Sequence, residues 1–256
     1  MSRIFITGST EGLGLMAGQL LVEQHHQVVL HARNPNRAED ARRALPAAES
    51  VIVGDVSTIA AAREVAEQAN ALGQFDAVIH NVAVGYREPR TETADGLPHV
   101  FATNVIAPYV LTALITRPKR LVYLSSGMHH GASARFDDLL WQKRRWSGAE
   151  AYAESKLYDV ILAFAVARRW SNVLSNALEP GWVPTRMGGA SAPDDMDKAH
   201  RTQAWLAASD DAAATVSGKY FFHMRRRGPN PEAEKVDTQD RFIARCEEIT
   251  GISLPS

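Results

Sequence analysis

Seven short apolar runs, separated by longer segments of helical periodicity, constrain the fold of this chain more than any other feature. The runs are Arg3–Thr7, Gln27–His31, Val51–Val53, Asp76–His80, Arg120–Ser125, Val173–Leu178 and Lys219–Phe222. A strand that is apolar almost throughout has both faces covered, as in a parallel sheet with helices on each side. The helical segments between them are Leu13–Gln24, Ala38–Leu45, Ile59–Leu72, Gly96–Ile115 and Ala149–Trp170, with two more near Pro193–Ala208 and Pro231–Thr250. No internal repeat or low-complexity linker interrupts the alternation. The pattern predicts an α/β protein with a doubly wound parallel sheet of about seven strands, in a single domain over residues 1–256.

Two stretches break that rhythm, 127–148 and 180–200, both rich in Gly, Ser or Pro and both directly after a strand. Open α/β sheets bind ligands beyond the carboxyl ends of their strands, and long loops in compact domains are often functional. These two are expected to form the substrate side. The formal net charge is −1, without the basic excess of a dedicated nucleic-acid binder. Cys246 is the single cysteine, so no internal disulfide framework exists. The longest apolar stretch, Val160–Ala167, is too short to span a membrane, and Met1–Thr10 lacks the pattern of a signal peptide. A cytoplasmic protein is expected.

The first strand runs into Thr7-Gly8-Ser9-Thr10-Glu11-Gly12-Leu13-Gly14 and then a helix. Glycines at such a turn let backbone N–H groups approach a pyrophosphate at the helix N-terminus. The spacing, G-x-x-x-G-x-G, differs from the general dinucleotide fingerprint. The second strand ends His31-Ala32-Arg33, with no carboxylate for a ribose 2′-hydroxyl and an arginine able to pair with a 2′-phosphate. NADP(H) is therefore favoured over NAD(H), although Glu11 places a negative charge near the phosphates. Asp55, beside Val56, is placed either to accept from an adenine amino group or to cap the next helix. Asn81, Val82 and Ala83 follow the fourth strand and are small or polar enough to face a nucleotide.

Tyr152 and Lys156 are four positions apart on one predicted helix, which puts them on one face. A nearby ammonium favours the phenolate and suits a tyrosine for proton transfer near neutral pH. Ser126, at the end of the fifth strand, could hydrogen-bond a substrate oxygen as charge develops there, or simply form a turn. Asn104 could hold a water that relays protons to the lysine, or bend its helix.

The ordered set Thr7–Gly14, Asp55, the Asn81 region, Asn104, Ser126, Tyr152/Lys156 and Pro180-Gly181 resembles the short-chain dehydrogenase/reductase family over essentially the whole chain. The resemblance implies a Rossmann-like sheet and NAD(P)-dependent carbonyl–alcohol chemistry. By position it implies that Ser126 binds the carbonyl, Tyr152 is the general acid/base, and Lys156 lowers the tyrosine's pKa and holds the nicotinamide ribose. Asn104 would anchor the relay water, and the segment Pro180-Gly181-Trp182-Val183-Pro184-Thr185, with Val183 and Thr185, would contact the nicotinamide. The family's usual Asn-Asn-Ala-Gly is His80-Asn81-Val82-Ala83 here. The 26-position spacing of Ser126 and Tyr152, with Gln203–Ala207 and Ser217–Phe221, is similar to the retinol-dehydrogenase-type branch.

The pairs His25-His26 and His129-His130 have no spaced carboxylate or cysteine partner, so no metal is expected. The runs Lys143–Arg145 and Arg225–Arg227 read as solvated faces, the second placed to touch an anionic substrate. Trp141, Trp146, Trp182 and Met187 either line an apolar pocket or anchor the loops. The expected activity is interconversion of a small apolar aldehyde or ketone and its alcohol. Alternatives are a catalytically silent NADP(H)-sensing binding protein, or C=C reduction or epimerisation on the same scaffold. The family resemblance implies a homodimer or homotetramer through the helices carrying Asn104 and Tyr152. The Val160–Ala167 run suits that interface or the core equally.

Overall fold

The computed structural model describes residues 1–255. The first half alternates β1 (Arg3–Ile6), α1 (Gly12–Glu23), β2 (Gln27–Ala32), α2 (Pro35–Ala44), β3 (Ser50–Val53), α3 (Ile59–Ala71) and β4 (Ala77–His80). A short α4 (His99–Phe101), a π-turn (Ala102–Ile106) and α5 (Ala107–Leu114) lead to β5 (Arg120–Leu124). A 3-10 turn (Gly127–Gly131) precedes the long α6 (Gly148–Arg169) and β6 (Leu174–Glu179). The chain closes with α7 (Met196–Ala199), α8 (Arg201–Ala208), β7 (Tyr220–Phe222), β8 (Arg225–Arg227), a 3-10 turn (Pro231–Glu234) and α9 (Val236–Thr250).

One sheet of order β3-β2-β1-β4-β5-β6-β7-β8 contains every named strand. It is parallel as far as β7, and β8 pairs antiparallel with β7. All seven expected strands are present, and β8 is an addition. Its three residues are arginines, so no apolar pattern marks it. It exists because the turn at His223 and Met224, with φ of 47° and 61°, folds the chain back onto β7. Charged edge strands also resist pairing with another sheet.

Alternation along each strand builds two cores. Phe5, Val29, Val78 and Tyr123 face α3, α5, α6 and α9, whereas Ile4, Ile6, Leu30, Ile79 and Val122 face α1, α2 and α8. Each fully buried Val, Ile or Phe contributes about 1.5–3 kcal/mol, so the two layers hold the sheet rigid between them. The run from Val160 to Val166 is buried within the chain, most of it completely. That run therefore belongs to the core and provides no exposed oligomer face.

The order reverses between β1 and β4, whose carboxyl ends splay a crevice open beside the glycine-rich turn. The expected single helix over 96–115 is interrupted by the π-turn at Asn104. Such bulges recur at functional sites.

Candidate active site

The turn after β1 is fastened from three sides. Gly8 has φ +60°, and a Cβ there would lie 2.8 Å from Val82 Cα. At Gly14 a Cβ would lie 2.5 Å from Asn81 Nδ2 and 2.7 Å from the Gly8 carbonyl oxygen. Asn81 Nδ2 donates to the Thr7 and Gly8 carbonyls at 3.0 and 2.9 Å, and its own N–H donates to Thr7 Oγ1 at 2.9 Å. His31 makes the third fastening: Nδ1 accepts from the Gly8 N–H at 3.0 Å, and Nε2 meets the Gly54 carbonyl at 2.9 Å. That pair requires the neutral ring with its proton on Nε2, in keeping with the downward push that burial exerts on its pKa.

The helix that follows is ready for an anion. Helices α2, α3 and α6 are capped by Asn34, Thr58 and Ser147, but no side chain among the described residues caps the first turn of α1. Its free N–H groups, Gly12 with open space at its Cβ position, and the close-packed Gly8 and Gly14 fit a nucleotide pyrophosphate. Arg33 lies exposed at the end of β2. Arg37, absent from the sequence reading, joins it from α2 and donates to Thr10 Oγ1 at 3.0 Å. It also pairs with Glu11 Oε2 at 2.8 Å, which neutralises the carboxylate that counted against phosphate binding. Its signal was its place four residues after Arg33, in the first turn of α2. Asp55 Oδ1 accepts from the Ser57 N–H at 2.8 Å, so it shapes a turn, while Thr58 caps α3. Val56 is buried beneath it.

Tyr152 and Lys156 are brought together with Ser126 at the carboxyl end of β5. Tyr152 is 7% exposed, and its ring lies 5.8 Å from Lys156 Nζ. Burial raises its pKa, against which Lys156 and the neighbouring Ser126 hydroxyl pull it down. The Ser126 hydroxyl accepts from the Met128 N–H at 3.3 Å, so it forms the turn at the end of β5. His129 holds the backbone of Ser126 through a 2.7 Å contact from Nδ1 to its carbonyl, while Nε2 accepts from the Asn230 N–H at 3.2 Å. Burial lowers His129 to about 4.

Lys156 Nζ donates to the Leu124 carbonyl and to Asp159 Oδ2, both at 2.8 Å, and keeps one N–H to offer. Asn104 Oδ1 accepts from the Val84 N–H at 2.8 Å, and its amide donates to the Val84 carbonyl at 3.1 Å and Ser155 Oγ at 3.0 Å. Its side chain is thus fully engaged in holding the segment after β4 against α6. Pro108, four residues on, has no N–H to give the Asn104 carbonyl in the ordinary helical register. Tyr86, also missed, packs edge-on against Tyr152 with ring centroids 6.1 Å apart.

The two loops part ways in role. Trp141 and Trp146 pack on each other at 5.1 Å, and Trp146 donates to the Glu88 carbonyl at 3.1 Å, so both anchor their loop. Arg144 departs from the solvated face expected of its run: it reaches Glu154 at 2.6 Å and Asp138 at 3.0 Å. In the second loop Pro180 is followed by Gly181, whose φ of +91° turns the chain. The Trp182 N–H then donates to Asp194 Oδ2 at 2.6 Å. Buried Val183 accepts from the Thr185 N–H at 2.7 Å, and the Thr185 hydroxyl accepts from Gly188 at 3.1 Å. The loop then crosses the crevice, with Met187 against Gly85 and Arg186 3.9 Å from Glu11, while the Trp182 side chain stays largely exposed. Arg227 pairs at 2.6 Å with Glu179, the last residue of β6, and Arg225 and Arg226 remain exposed. No helix among the described residues is long and apolar enough to cross a membrane.

The family model for short chain dehydrogenases matches residues 2–128. The chain is 44% identical to an uncharacterized oxidoreductase of Emericella nidulans, over 100% of this chain and 99% of the relative. It is 40% identical to the short-chain dehydrogenase chyC of Penicillium rubens, over the full length of both. Retinol dehydrogenase 13 of Homo sapiens is 27% identical over 99% of this chain and 86% of its own. Among solved structures, an uncharacterized protein from Mycobacterium paratuberculosis superposes with a TM-score of 0.85 at 24% identity, covering 100% of this chain and 96% of the other. The chain belongs to the short-chain dehydrogenase/reductase family and is an oxidoreductase on a nicotinamide-nucleotide-binding fold.

Proposed function

We propose that the protein is an NADP(H)-dependent oxidoreductase that interconverts an aldehyde or ketone and its alcohol, acting as one domain over residues 1–256. The observation that carries this reading is the convergence of Ser126, Tyr152 and Lys156 at the carboxyl end of β5. That cluster faces the same sheet edge as the glycine turn, so a dinucleotide seated on α1 would reach it.

When bound, the nicotinamide supplies or accepts the hydride. Gly8, Ser9, Thr10, Gly12, Leu13 and Gly14 form the turn for the pyrophosphate, with Arg33 and Arg37 placed for a ribose 2′-phosphate. Asp55, Val56, Asn81, Val82 and Ala83 border the adenosine half, and Pro180, Gly181, Val183 and Thr185 the nicotinamide half. In reduction the Ser126 hydroxyl steadies the substrate oxygen, and the Tyr152 phenol donates its proton to it. The ammonium of Lys156 holds the phenolate left behind, and its remaining N–H reaches toward the ribose or a water. That water rests on the Asn104 carbonyl, which carries the relay role expected of the residue. The buried surroundings of Tyr152 favour a small apolar substrate.

Purified protein assayed with NADPH and NADH over aldehydes, ketones and quinones tests this. Turnover of a carbonyl with NADPH is expected. Tyr152→Phe should abolish it while leaving NADPH affinity within about threefold. Arg33→Ala should weaken NADPH at least tenfold more than NADH, the worth of about 1.4 kcal/mol. Full turnover in Tyr152→Phe refutes the mechanism, and equal losses for both nucleotides refute the phosphate role.

A further inference from the structure

Lys156 does not stand alone beneath Tyr152. One turn further along α6, Asp159 pairs with its ammonium at 2.8 Å, and each side chain is 3% exposed. Asp159 Oδ1 has no hydrogen-bond partner among the described residues. A buried carboxylate without its full complement of partners is costly, and a lone structural ion pair is rarely worth that cost. Its position relative to the reacting groups supplies a reason for it.

We propose that Asp159 is a positioning residue that holds the Lys156 ammonium against the Leu124 carbonyl and partly offsets its charge, so setting the pH at which Tyr152 gives up its proton. The inference rests on the acid–base reading of Tyr152. A phenol beside an unopposed buried cation would ionise readily and spend more of its time unable to donate a proton. A carboxylate behind that cation weakens the pull, and Tyr152 stays protonated to higher pH. It acts through Lys156 and touches no substrate.

The other titratable groups around Asp159 do not supply this effect. On its own helix they are Lys156 and Tyr152. On β5 the phenol of Tyr123 is neutral and bonded to Thr112 Oγ1 at 2.7 Å, with neutral His80 of β4 stacked on its ring at 4.7 Å. On the opposite flank α9 meets α6 through Phe242 against Tyr158, near the neutral thiol of Cys246. Lys156 is the only cation bonded to Asp159 among the described residues. Burial pushes the carboxyl above the ordinary carboxylate range, and the Lys156 ammonium bonded to it at 2.8 Å opposes that push and favours the ionised form.

Asp159 lies seven residues after Tyr152 on α6, two turns or about 10 Å along the axis, so removing its charge at an effective dielectric near 20 should move the phenol's titration by roughly one pH unit. The test is an ultraviolet tyrosinate titration of ligand-free protein, taken as wild type minus Tyr152→Phe and repeated in the Asp159→Asn background. The Tyr152 midpoint is expected roughly one unit lower in that background than in the wild type, while far-ultraviolet circular dichroism is unchanged. A midpoint that stays put or rises overturns the proposal. Carboxyl-carbon NMR of the wild-type protein provides a second decision that needs no folded variant. Asp159 should be ionised at neutral pH, and a protonated carboxyl there overturns the proposal as well. Neither measurement needs turnover, so a failure of the proposed reaction is seen separately from a failure of this one.

Discussion

Gly14→Ala separates helix propensity from site architecture, because the two predict opposite signs. Gly14 lies in the first turn of α1 with ordinary helical geometry, so propensity alone favours alanine by about 1 kcal/mol. The added methyl, however, would lie 2.5 Å from Asn81 Nδ2, 2.7 Å from the Gly8 oxygen and 3.0 Å from Ser9 Cα. The Asn81 amide can retreat only by giving up its bonds to the Thr7 and Gly8 carbonyls, a loss of about 1–3 kcal/mol. The backbone contacts cannot retreat without moving the turn, and such overpacking costs about 1–3 kcal/mol. After the propensity gain a net loss of roughly 3 kcal/mol remains, equivalent to a fall in Tm of roughly 6–12 °C. Urea unfolding measures the first quantity and NADPH titration the second, where a displaced Gly8 should weaken binding at least about tenfold. A variant that is more stable than wild type, with nucleotide affinity intact, would refute the idea that Asn81 and Gly14 together shape the cradle.

Arg144→Ala removes the cation between Glu154 and Asp138, whose side chains are 7% and 5% exposed. The near-buried Glu154 carboxylate is then left with a long contact to Arg135, and a loss of about 3 kcal/mol is expected in urea unfolding. A loss under about 1 kcal/mol contradicts that account. Stability should also fall with acid. Burial holds His129 to about 4 and His80 to about 3, below the ordinary range, so the unfolded chain takes up protons first as pH drops. The contribution is complete above about pH 6.5 and is lost on acidification by about 1.4 kcal/mol per pH unit for each ring. Unfolding free energies between neutrality and about pH 5 should show it, with a shallower slope in His80→Gln; an unchanged slope counts against the buried neutral ring.

The pattern of residues along the chain determined a good deal by itself. Seven strands and the helices between them were legible because burial on both faces leaves an apolar run, and amphipathic helices carry a 3.6-residue period. The pairing of Tyr152 with Lys156 was legible for the same local reason, since one helical turn separates them. Asp159 lies one turn further along that helix, but nothing local distinguishes a carboxylate bonded to the lysine from one facing water. Tertiary structure alone decided the contacts between distant segments. It brought Ser126 to Tyr152 across 26 positions, tied Gly8 to Gly54 through His31, and turned Arg37 toward Glu11. It made anchors of Trp141 and Trp146, gave Arg144 its two carboxylates, and made a strand of three arginines. The physical reason is common to all of these. Periodicity reports the environment of a residue averaged along its own element, whereas a hydrogen bond or ion pair depends on where another element comes to rest.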